Sequence, residues 1–362
     1  MLPLIGKPHR PAELRTIQGK RVLLCFLGRS TIVLGIVYRE TRAHESNTKR
    51  VLGRRRVCGC GRPTPMNRRG FLKNAACLPA VAGLGLGTSS PGSGAEPRFR
   101  IGLAEWSLHV AIQSRLITNL DFPRVAREHF GIEGLEFVNT LWEPPTQDYL
   151  RRLKAAVQKT GTRPLLLMCD GEGQLGHSEK ATRLKAAQNH HKWVDAAAEL
   201  GCHSIRVNLN SDVRVSSPAD IDALTSNGAE AIVSLCEYAA KAGINVTVEN
   251  HGGISTNPDV IVSLVKKVKR PDFGTLVDLG NFPDNIDRYE AAAKLLSYAK
   301  AVDFKCKDFG PDGEETRINS AKMMQILLAS PYRGYLAIEY DGTRLPEFEG
   351  IARGKRVLDK IL

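Results

Sequence analysis

The chain has 362 residues, of which 42% are hydrophobic, and a formal net charge of +13. Residues 1–73 carry 17 Lys and Arg against 3 Asp and Glu, so residues 74–362 have a balance of −1. The length suits one large domain or two ordinary ones. Because the basic charge belongs to the first fifth of the chain, the remainder lacks the electrostatic footprint of a protein that binds nucleic acid or an anionic membrane.

Residues 66–95 have the parts of a secretion signal. Arg68 and Arg69 are followed by an apolar run of small residues from Ala75 to Gly87, and small residues lead up to Ala95. The run is too short and too rich in glycine to span a bilayer. This segment resembles a bacterial twin-arginine (Tat) signal peptide, which implies an exported, periplasmic protein. The alternative interpretation is a basic linker.

Residues 1–65 are then unexpected, because a signal peptide should begin a protein. Met66 is well placed as the true initiator. We therefore expect residues 1–65 to be a disordered or over-predicted N-terminal extension. The apolar run from Val22 to Tyr38 contains Arg29, which argues against a membrane helix, so no stable membrane insertion is expected.

From Arg100 onward, short apolar runs alternate with longer runs of helical periodicity. The predicted strands are 101–108, 132–138, 163–169, 204–209, 245–251, 274–280, 301–305 and 334–340. The predicted helices are 121–130, 146–160, 180–200, 218–242, 257–269, 287–299, 319–329 and 346–361. Pro218 follows a capping serine, and Gly161 and Gly201 are expected to end helices.

Eight strands alternating with eight helices over residues 98–362 predict a (βα)8 TIM barrel. An open, doubly wound sheet is the alternative, but no G-x-G-x-x-G turn follows the first strand. In TIM barrels the catalytic groups lie at the carboxyl ends of the strands. Polar residues at these ends are therefore the functional candidates.

Four carboxylates lie at strand-like runs in the second half of the chain: Glu249, Asp278, Asp303 and Glu339. At one end of a barrel they would repel one another unless a cation lay among them. Oxygen ligands suit Mg²⁺ or Mn²⁺, and a nearby histidine shifts the preference towards Mn²⁺, Co²⁺ or Zn²⁺. The pattern predicts a divalent-metal enzyme with these four residues as ligands, although any one of them could be only a salt-bridge partner.

Strand alternation predicts which other polar side chains face the barrel axis. On this basis the residues expected to bind substrate are Glu136, Arg206, Asn208, His251 and Lys305. Arg206 and Lys305 could instead neutralise nearby carboxylates, and His251 could simply pack. The glycine-rich loop at residues 170–177 is either a lid or a plain connection.

Three stretches resemble the sugar phosphate isomerase/epimerase family of xylose isomerase-like TIM barrels. They are Val248-Glu-Asn-His-Gly-Gly253, Leu276-Val-Asp-Leu-Gly-Asn281 and Tyr335-Leu-Ala-Ile-Glu-Tyr-Asp-Gly342. The likeness covers residues 100–362. It implies a divalent ion held by Glu, Asp, His and Glu from four successive strands, and Glu249, Asp278 and Glu339 match the first, second and fourth of these.

The third ligand departs from the family pattern. The family has His-x-Lys where this chain has Asp303-Phe-Lys305. A second register would set Lys307-Asp308 against the family's Lys-Asp, and would put Lys305 in the place of the histidine. We take the first register, which gives Asp303 as the third ligand. In either register the histidine is missing.

The resemblance implies a metal-dependent isomerase or epimerase that moves a proton next to the carbonyl group of a sugar or sugar derivative. Glu249 and Glu339 would be the catalytic pair. A homodimer is compatible with the resemblance. Alternatives are a non-catalytic periplasmic sugar binder and a metal-dependent lyase or hydrolase of oxidised sugars. An apurinic-site endonuclease shares the barrel but needs several histidines around its metal cluster and a basic face. In residues 74–362 only His251 lies at a predicted strand end, and the charge balance is −1.

Overall fold

The computed structural model describes residues 13–17, 20–27, 30–37 and 97–362. Near the N-terminus, three strands form an antiparallel sheet: β1 (Glu13–Ile17), β2 (Lys20–Leu27) and β3 (Ser30–Val37). This sheet lies within the predicted N-terminal extension. The other residues of that extension, and the predicted signal peptide at 66–95, lie outside the described residues, so both remain predictions.

Residues 97–362 contain a closed barrel of eight parallel strands, which confirms the predicted fold. The strands follow one another around the barrel in chain order, and the last pairs with the first, with Gly334 opposite Phe99. They are β4 (Phe99–Ala104), β5 (Gly134–Val138), β6 (Arg163–Met168), β7 (Ser204–Val207), β8 (Asn245–Glu249), β9 (Phe273–Asp278), β10 (Ala299–Cys306) and β11 (Gly334–Tyr340).

Helices connect successive strands, as in other TIM barrels. They are Phe122–Phe130, Gln147–Thr160, Lys180–Asn189, His191–Leu200, Pro218–Ala240, Pro258–Val268, Arg288–Leu296, Ser320–Ala329 and Glu347–Ile361, with a short helix at His109–Gln113. Shorter 3₁₀ helices include Glu105–Leu108 and Gly253–Thr256. No helix in the described part of the chain combines the length and the hydrophobicity that a membrane crossing requires.

Local sequence signals explain several helix boundaries. Ser217 and Asp220 form a capping box, in which each side chain accepts a hydrogen bond from the backbone N–H of the other. Pro218 then occupies the first helical turn, where its missing N–H costs nothing. Gly161 and Gly201 end helices in the left-handed region, with φ of 63° and 85°. These boundaries agree with the sequence prediction.

Most other boundaries differ from the prediction by one or more residues, and three of these differences change the local structure. The first barrel strand, β4, ends at Ala104. Glu105 begins a 3₁₀ helix, and its carboxylate accepts a hydrogen bond from the N–H of Val138. The helix expected over 180–200 divides at His190, whose buried ring Nδ1–H donates to the carbonyl oxygen of Ala186. The strand expected over 245–251 ends at residue 249, so the residues after it belong to a loop.

The two faces of the barrel strands have different roles. Apolar side chains that face the helices, such as Val246, Val248 and Ile338, are fully buried. At the amino end of the barrel, the large side chain of Tyr335 fills part of the interior. A Cβ on Gly134 would lie 2.6 Å from the Tyr335 ring, so the glycine leaves room for this side chain. The polar side chains gather towards the carboxyl end, as expected for a TIM barrel.

Candidate active site

Three of the four predicted ligands meet at the carboxyl ends of β8, β9 and β11. Glu249 and Asp278 are the last residues of β8 and β9, and Glu339 is next to last in β11. All three are buried, and each offers one carboxylate oxygen within 4.8 Å of the other two. Oxygens bound to one ion at roughly 2.0–2.6 Å lie at most about 5.2 Å apart. The three residues, called the acidic triad below, are therefore close enough to share a divalent cation.

Asp278 presents one oxygen to the acidic triad and uses the other to fix its position. Oδ1 accepts hydrogen bonds from the backbone N–H groups of Gly280, at 2.7 Å, and Asn281, at 3.1 Å. Oδ2 is buried without an aligned hydrogen-bond donor, although Lys305 Nζ lies 3.1 Å away. A buried carboxylate oxygen in this condition is the kind of atom that a metal ion would satisfy.

Glu249 is positioned by two side chains. Oε1 accepts a hydrogen bond from Asn281 Nδ2 at 2.9 Å, and Oε2 lies 2.9 Å from Arg206 Nε without hydrogen-bond alignment. Burial raises the pKa of Glu249 to about 7, even though the cations of Arg206 and Lys305 act in the opposite direction. A carboxyl group with a pKa near neutrality can both accept and donate a proton under physiological conditions.

Arg206, on β7, is held between two carboxylates. Its Nη1 donates to Asp170 Oδ1 at 2.6 Å while its Nε faces Glu249. Asn208 Nδ2 donates to the same Asp170 oxygen, also at 2.6 Å. Burial works against ionisation of Asp170, but the guanidinium outweighs it and lowers the pKa of this carboxyl. The positive charge of Arg206 is therefore paired with carboxylates of the protein itself.

Lys305, on β10, reaches two members of the acidic triad. Its Nζ lies 3.1 Å from Asp278 Oδ2 and 3.1 Å from Glu339 Oε1, and its side chain is 5% exposed. The neighbouring carboxylates raise its pKa well above the usual value, although burial opposes this. The ammonium is thus charged and paired, which is the neutralising role that the sequence left open.

Asp303, the fourth predicted ligand, lies outside the acidic triad. It pairs in register with Ala337 and stands two residues before Lys305 on β10, so it faces the axis one layer deeper in the barrel. Both of its oxygens lack hydrogen-bond partners. Burial and the adjacent Glu136 raise the pKa of Asp303 well above its usual range, and burial raises that of Glu136 to about 8. Asp303 is also paired in register with Asp278, so it adjoins the triad, but it is not among the residues whose oxygens converge there. Lys305 Nζ, in contrast, lies 3.1 Å from two members of the triad.

The site contains more acidic than basic groups. Two basic groups, Arg206 and Lys305, face six buried or half-buried carboxyl groups: Glu136, Asp170, Glu249, Asp278, Asp303 and Glu339. Even with protons on the two deeper carboxyl groups, the charge remains negative. A divalent cation would offset this excess, so the donor set and the charge both fit a hard metal ion.

A cleft of about 750 Å³ opens over the ends of β6, β7 and β8. Its lining contains no charged residue and consists of Gly171, Gly173, Gln174, Leu209, Asn210, Ser211, Val213, Val215, Gly252, Gly253 and Ile254. The acidic triad is not part of this lining, but the loops that form it start directly after Asp170, Asn208 and Glu249. His251 lies in the third of these loops and is exposed, and it is not a member of the triad. It is nevertheless close to the site, because partial burial and the charges of Arg206 and Lys305 lower the pKa of its imidazole.

The sequence did not point to three residues that organise the site. Asp170 receives both Arg206 and Asn208, Asn281 binds the first two members of the triad, and Asn250 bonds to the backbone of Asp278. Asp170 and Asn281 directly follow predicted strands, and Asn250 lies in the strand predicted over 245–251 but just beyond its observed end. Polar residues just beyond a strand end, and not only those on it, were the available signal.

Comparison with known proteins identifies the family. Residues 123–361 match the family described as "Xylose isomerase-like TIM barrel". The chain belongs to this family. No curated protein matches the sequence significantly.

Solved structures of other xylose isomerase-like TIM barrels share the fold. D-allulose 3-epimerase from Methylomonas sp. in complex with D-allulose is 15% identical with a TM-score of 0.58, and the match covers 73% of this chain and 98% of that one. 3-keto-D-glucoside 4-epimerase from E. coli is 18% identical with a TM-score of 0.55, and the match covers 73% of this chain and 98% of that one. A xylose isomerase-like TIM barrel protein from Mycobacterium smegmatis in complex with magnesium is 16% identical with a TM-score of 0.55, and the match covers 72% of this chain and 96% of that one.

Proposed function

We propose that this protein is a sugar isomerase or epimerase that moves a proton at a carbon next to a carbonyl group. The observation that carries the proposal is the convergence of Glu249, Asp278 and Glu339 within 4.8 Å at the carboxyl end of the barrel. Family membership supports the proposal. So do two structural neighbours that are named as epimerases of D-allulose and of 3-keto-D-glucoside.

In the proposed reaction, Glu249 and Glu339 act on opposite sides of the substrate. One carboxylate removes the proton from the carbon, and the electron pair of the broken C–H bond moves towards the carbonyl oxygen. The other carboxyl returns a proton, either to the opposite face of the same carbon or to the former carbonyl carbon, in which case the hydroxyl proton of the first carbon passes to the former carbonyl oxygen. The first outcome is epimerisation and the second is isomerisation. A pKa of about 7 suits Glu249 to this exchange.

The acidic triad would hold a divalent cation. When bound, this ion supplies a positive charge that stabilises the negative charge developing on the substrate oxygen. The donor set contains only carboxylate oxygens, which favours Mg²⁺ or Mn²⁺ over the Co²⁺ or Zn²⁺ that a histidine ligand would suit. Arg206 and Asn281 would orient Glu249 within this set, because both contact its carboxylate.

We further propose an uncharged sugar as the substrate. The cleft has no charged residue in its lining, and both basic groups of the site are paired with carboxylates. The cleft therefore offers no charged side chain to receive a phosphate ester or a sugar acid. The predicted export signal is consistent with a small neutral substrate met outside the cytoplasm, and N-terminal sequencing of the mature exported protein would test the predicted cleavage near Ala95.

The test compares Glu249→Gln and Glu339→Gln with wild type on a panel of ketoses and keto-sugars. Each substitution keeps the size of the side chain but removes its ability to accept a proton, so we expect turnover to fall by at least about 10²-fold. Glu133→Gln is the control, because Glu133 lies beside Tyr335 and Arg100 at the amino end of the barrel. Unchanged turnover in both site variants would refute the proposal.

A sugar-binding protein without catalysis is the second candidate. The specific observation in its favour is Lys305, which neutralises two members of the acidic triad. Saturable binding of a sugar by wild-type protein, with no product formed over the whole panel, would favour this candidate over the enzyme.

A further inference from the structure

Lys305 stands between two of the carboxylates that would hold a metal ion. Its strand, β10, lies between β9 and β11 in the barrel, and Lys305 is paired in register with Glu339. The Nζ atom is therefore placed 3.1 Å from Asp278 Oδ2 and 3.1 Å from Glu339 Oε1. These carboxylates belong to the acidic triad itself, so the ammonium lies at the edge of the space that a shared cation would enter.

The position of Lys305 depends on a close approach to Gly280. A Cβ added to Gly280 would lie 2.9 Å from Lys305 Cβ and 2.9 Å from its carbonyl oxygen, closer than a side chain tolerates. The backbone N–H of Gly280 also donates to Asp278 Oδ1. The same glycine therefore orients one carboxylate and leaves room for the lysine that neutralises it.

The other basic groups close to the site have different partners. Arg206 is held by Asp170 and Glu249, and Lys307 Nζ lies 3.0 Å from Asp341 Oδ2. Lys305 is also almost completely buried, so bulk solvent cannot screen its charge as it would at the surface.

We propose that Lys305 is a resident counter-cation of the acidic triad, and that a divalent ion binds only by displacing its ammonium from Asp278 and Glu339. An ammonium has donors but no lone pair, so it cannot be a ligand, and its charge repels an incoming cation. The lysine therefore lets the triad remain buried without metal and lowers metal affinity. The inference rests on the metal site of the proposed function.

The test measures Mn²⁺ affinity of the full-length protein by calorimetry and by elemental analysis after dialysis. In Lys305→Met the competing charge is gone, so we expect Mn²⁺ to bind at least about tenfold more tightly than to wild type, equivalent to about 1.4 kcal/mol. Lys305→His should bind more tightly still, because a neutral imidazole is itself a ligand. Lys307→Met is the control for loss of one nearby positive charge, and it should stay within about threefold of wild type.

A second measurement, of melting temperature, keeps the inference testable if Lys305→Met is less stable than wild type. Without metal, Lys305→Met leaves the triad unneutralised, so its melting temperature in EDTA should fall below that of wild type. Saturating Mn²⁺ should then raise it by more than it raises wild type, because an ion that binds only the folded state stabilises that state. Lys305→Gln, which keeps a hydrogen-bond donor, replaces the methionine variant if the latter does not fold.

The outcomes separate this inference from the proposed function. Mn²⁺ affinity that is equal or weaker in all three Lys305 variants overturns the inference, whether or not wild type binds the ion. Loss of turnover in Glu249→Gln would still support proton transfer in that case. Conversely, tighter Mn²⁺ binding by the Lys305 variants, together with no turnover of any ketose by Mn²⁺-loaded wild type, supports the inference and overturns the proposed function.

Discussion

Asn250 and Asp278 are joined by two buried hydrogen bonds that tie the end of β8 to the end of β9. Asn250 Nδ2 donates to the carbonyl oxygen of Asp278 at 2.8 Å, and the N–H of Asp278 donates to Asn250 Oδ1 at 2.9 Å. The amide side chain continues the pattern of sheet hydrogen bonds beyond the last residue of β8. It thereby fixes the backbone from which one member of the acidic triad projects.

Asn250→Ala should destabilise the protein and loosen the site. It leaves a buried N–H and a buried C=O of Asp278 without partners, so we expect the free energy of unfolding to fall by about 2–4 kcal/mol. Urea denaturation measures this. Asn245→Ala is the control: its Nδ2 donates to His203 O at 2.8 Å near the solvent-exposed start of the same strand, and the expected loss is below about 1 kcal/mol. Equal losses in the two variants would contradict this interpretation.

Asp303→Asn should leave metal binding intact. Burial and Glu136 raise the pKa of Asp303 well above its usual range, which favours the neutral carboxyl, and an amide of similar shape should replace it with little change. We expect Mn²⁺ affinity within about threefold of wild type, whereas Asp278→Asn should weaken it at least about 10²-fold, about 2.7 kcal/mol. If Asp303→Asn loses the ion as Asp278→Asn does, Asp303 is the ligand that the sequence predicts.

Glu105 should make stability depend on pH. It is buried, its Oε2 accepts hydrogen bonds from Val138 N at 2.9 Å and Trp142 Nε1 at 3.2 Å, and burial raises its pKa to about 7. Its folded-state pKa lies above the unfolded value, so the folded state binds the extra proton between about pH 4.5 and about pH 7. The stability due to Glu105 is present below this window and is lost as pH rises through it, by at most about 3 kcal/mol.

The measurement is the free energy of unfolding of wild type and Glu105→Gln at several pH values from about 5 to about 8. The advantage of wild type over the variant should shrink as pH rises to about 7 and then stay constant. A difference between wild type and Glu105→Gln that is independent of pH would show that Glu105 titrates normally.

Substrate charge should matter strongly. Because the cleft lining is uncharged and Arg206 is held between Asp170 and Glu249, we expect kcat/KM for a free ketose to exceed that for its phosphate ester by at least about 10²-fold, about 2.7 kcal/mol. Parallel assays on a sugar and its phosphate measure the ratio. Preference for the phosphate would show that a cation is released to bind it, with Lys305 the first candidate for substitution.

The barrel was predictable because its strands are buried on both faces and therefore appear as continuous apolar runs. Alternation correctly placed Glu136, Arg206, Asp303 and Lys305 in the interior, because period two holds along a regular strand. It does not apply to His251, which the prediction included in the strand. The strand ends at Glu249, and beyond it the backbone turns into a loop where alternation no longer applies.

The partners of the interior residues were less predictable. Lys305 and Asp303 are two positions apart and both face the axis, so alternation alone does not tell which of the two side chains contacts the acidic triad. Their difference is one of depth along the barrel axis, which depends on strand stagger and not on residue type. In the same way, Asp170 and Asn281 lie in loops whose shapes no periodicity describes, although each binds a residue that the sequence identified.

Incubation of wild-type protein with its best ketose in D₂O tests the central claim most directly, with NMR following the carbon next to the carbonyl group. We predict that product appears with deuterium on that carbon, since one carboxyl removes the original proton and the other delivers one from solvent, and that Glu249→Gln and Glu339→Gln abolish both the product and the label. Product that forms without deuterium, or label that enters equally in wild type and in both variants, would contradict proton transfer by Glu249 and Glu339.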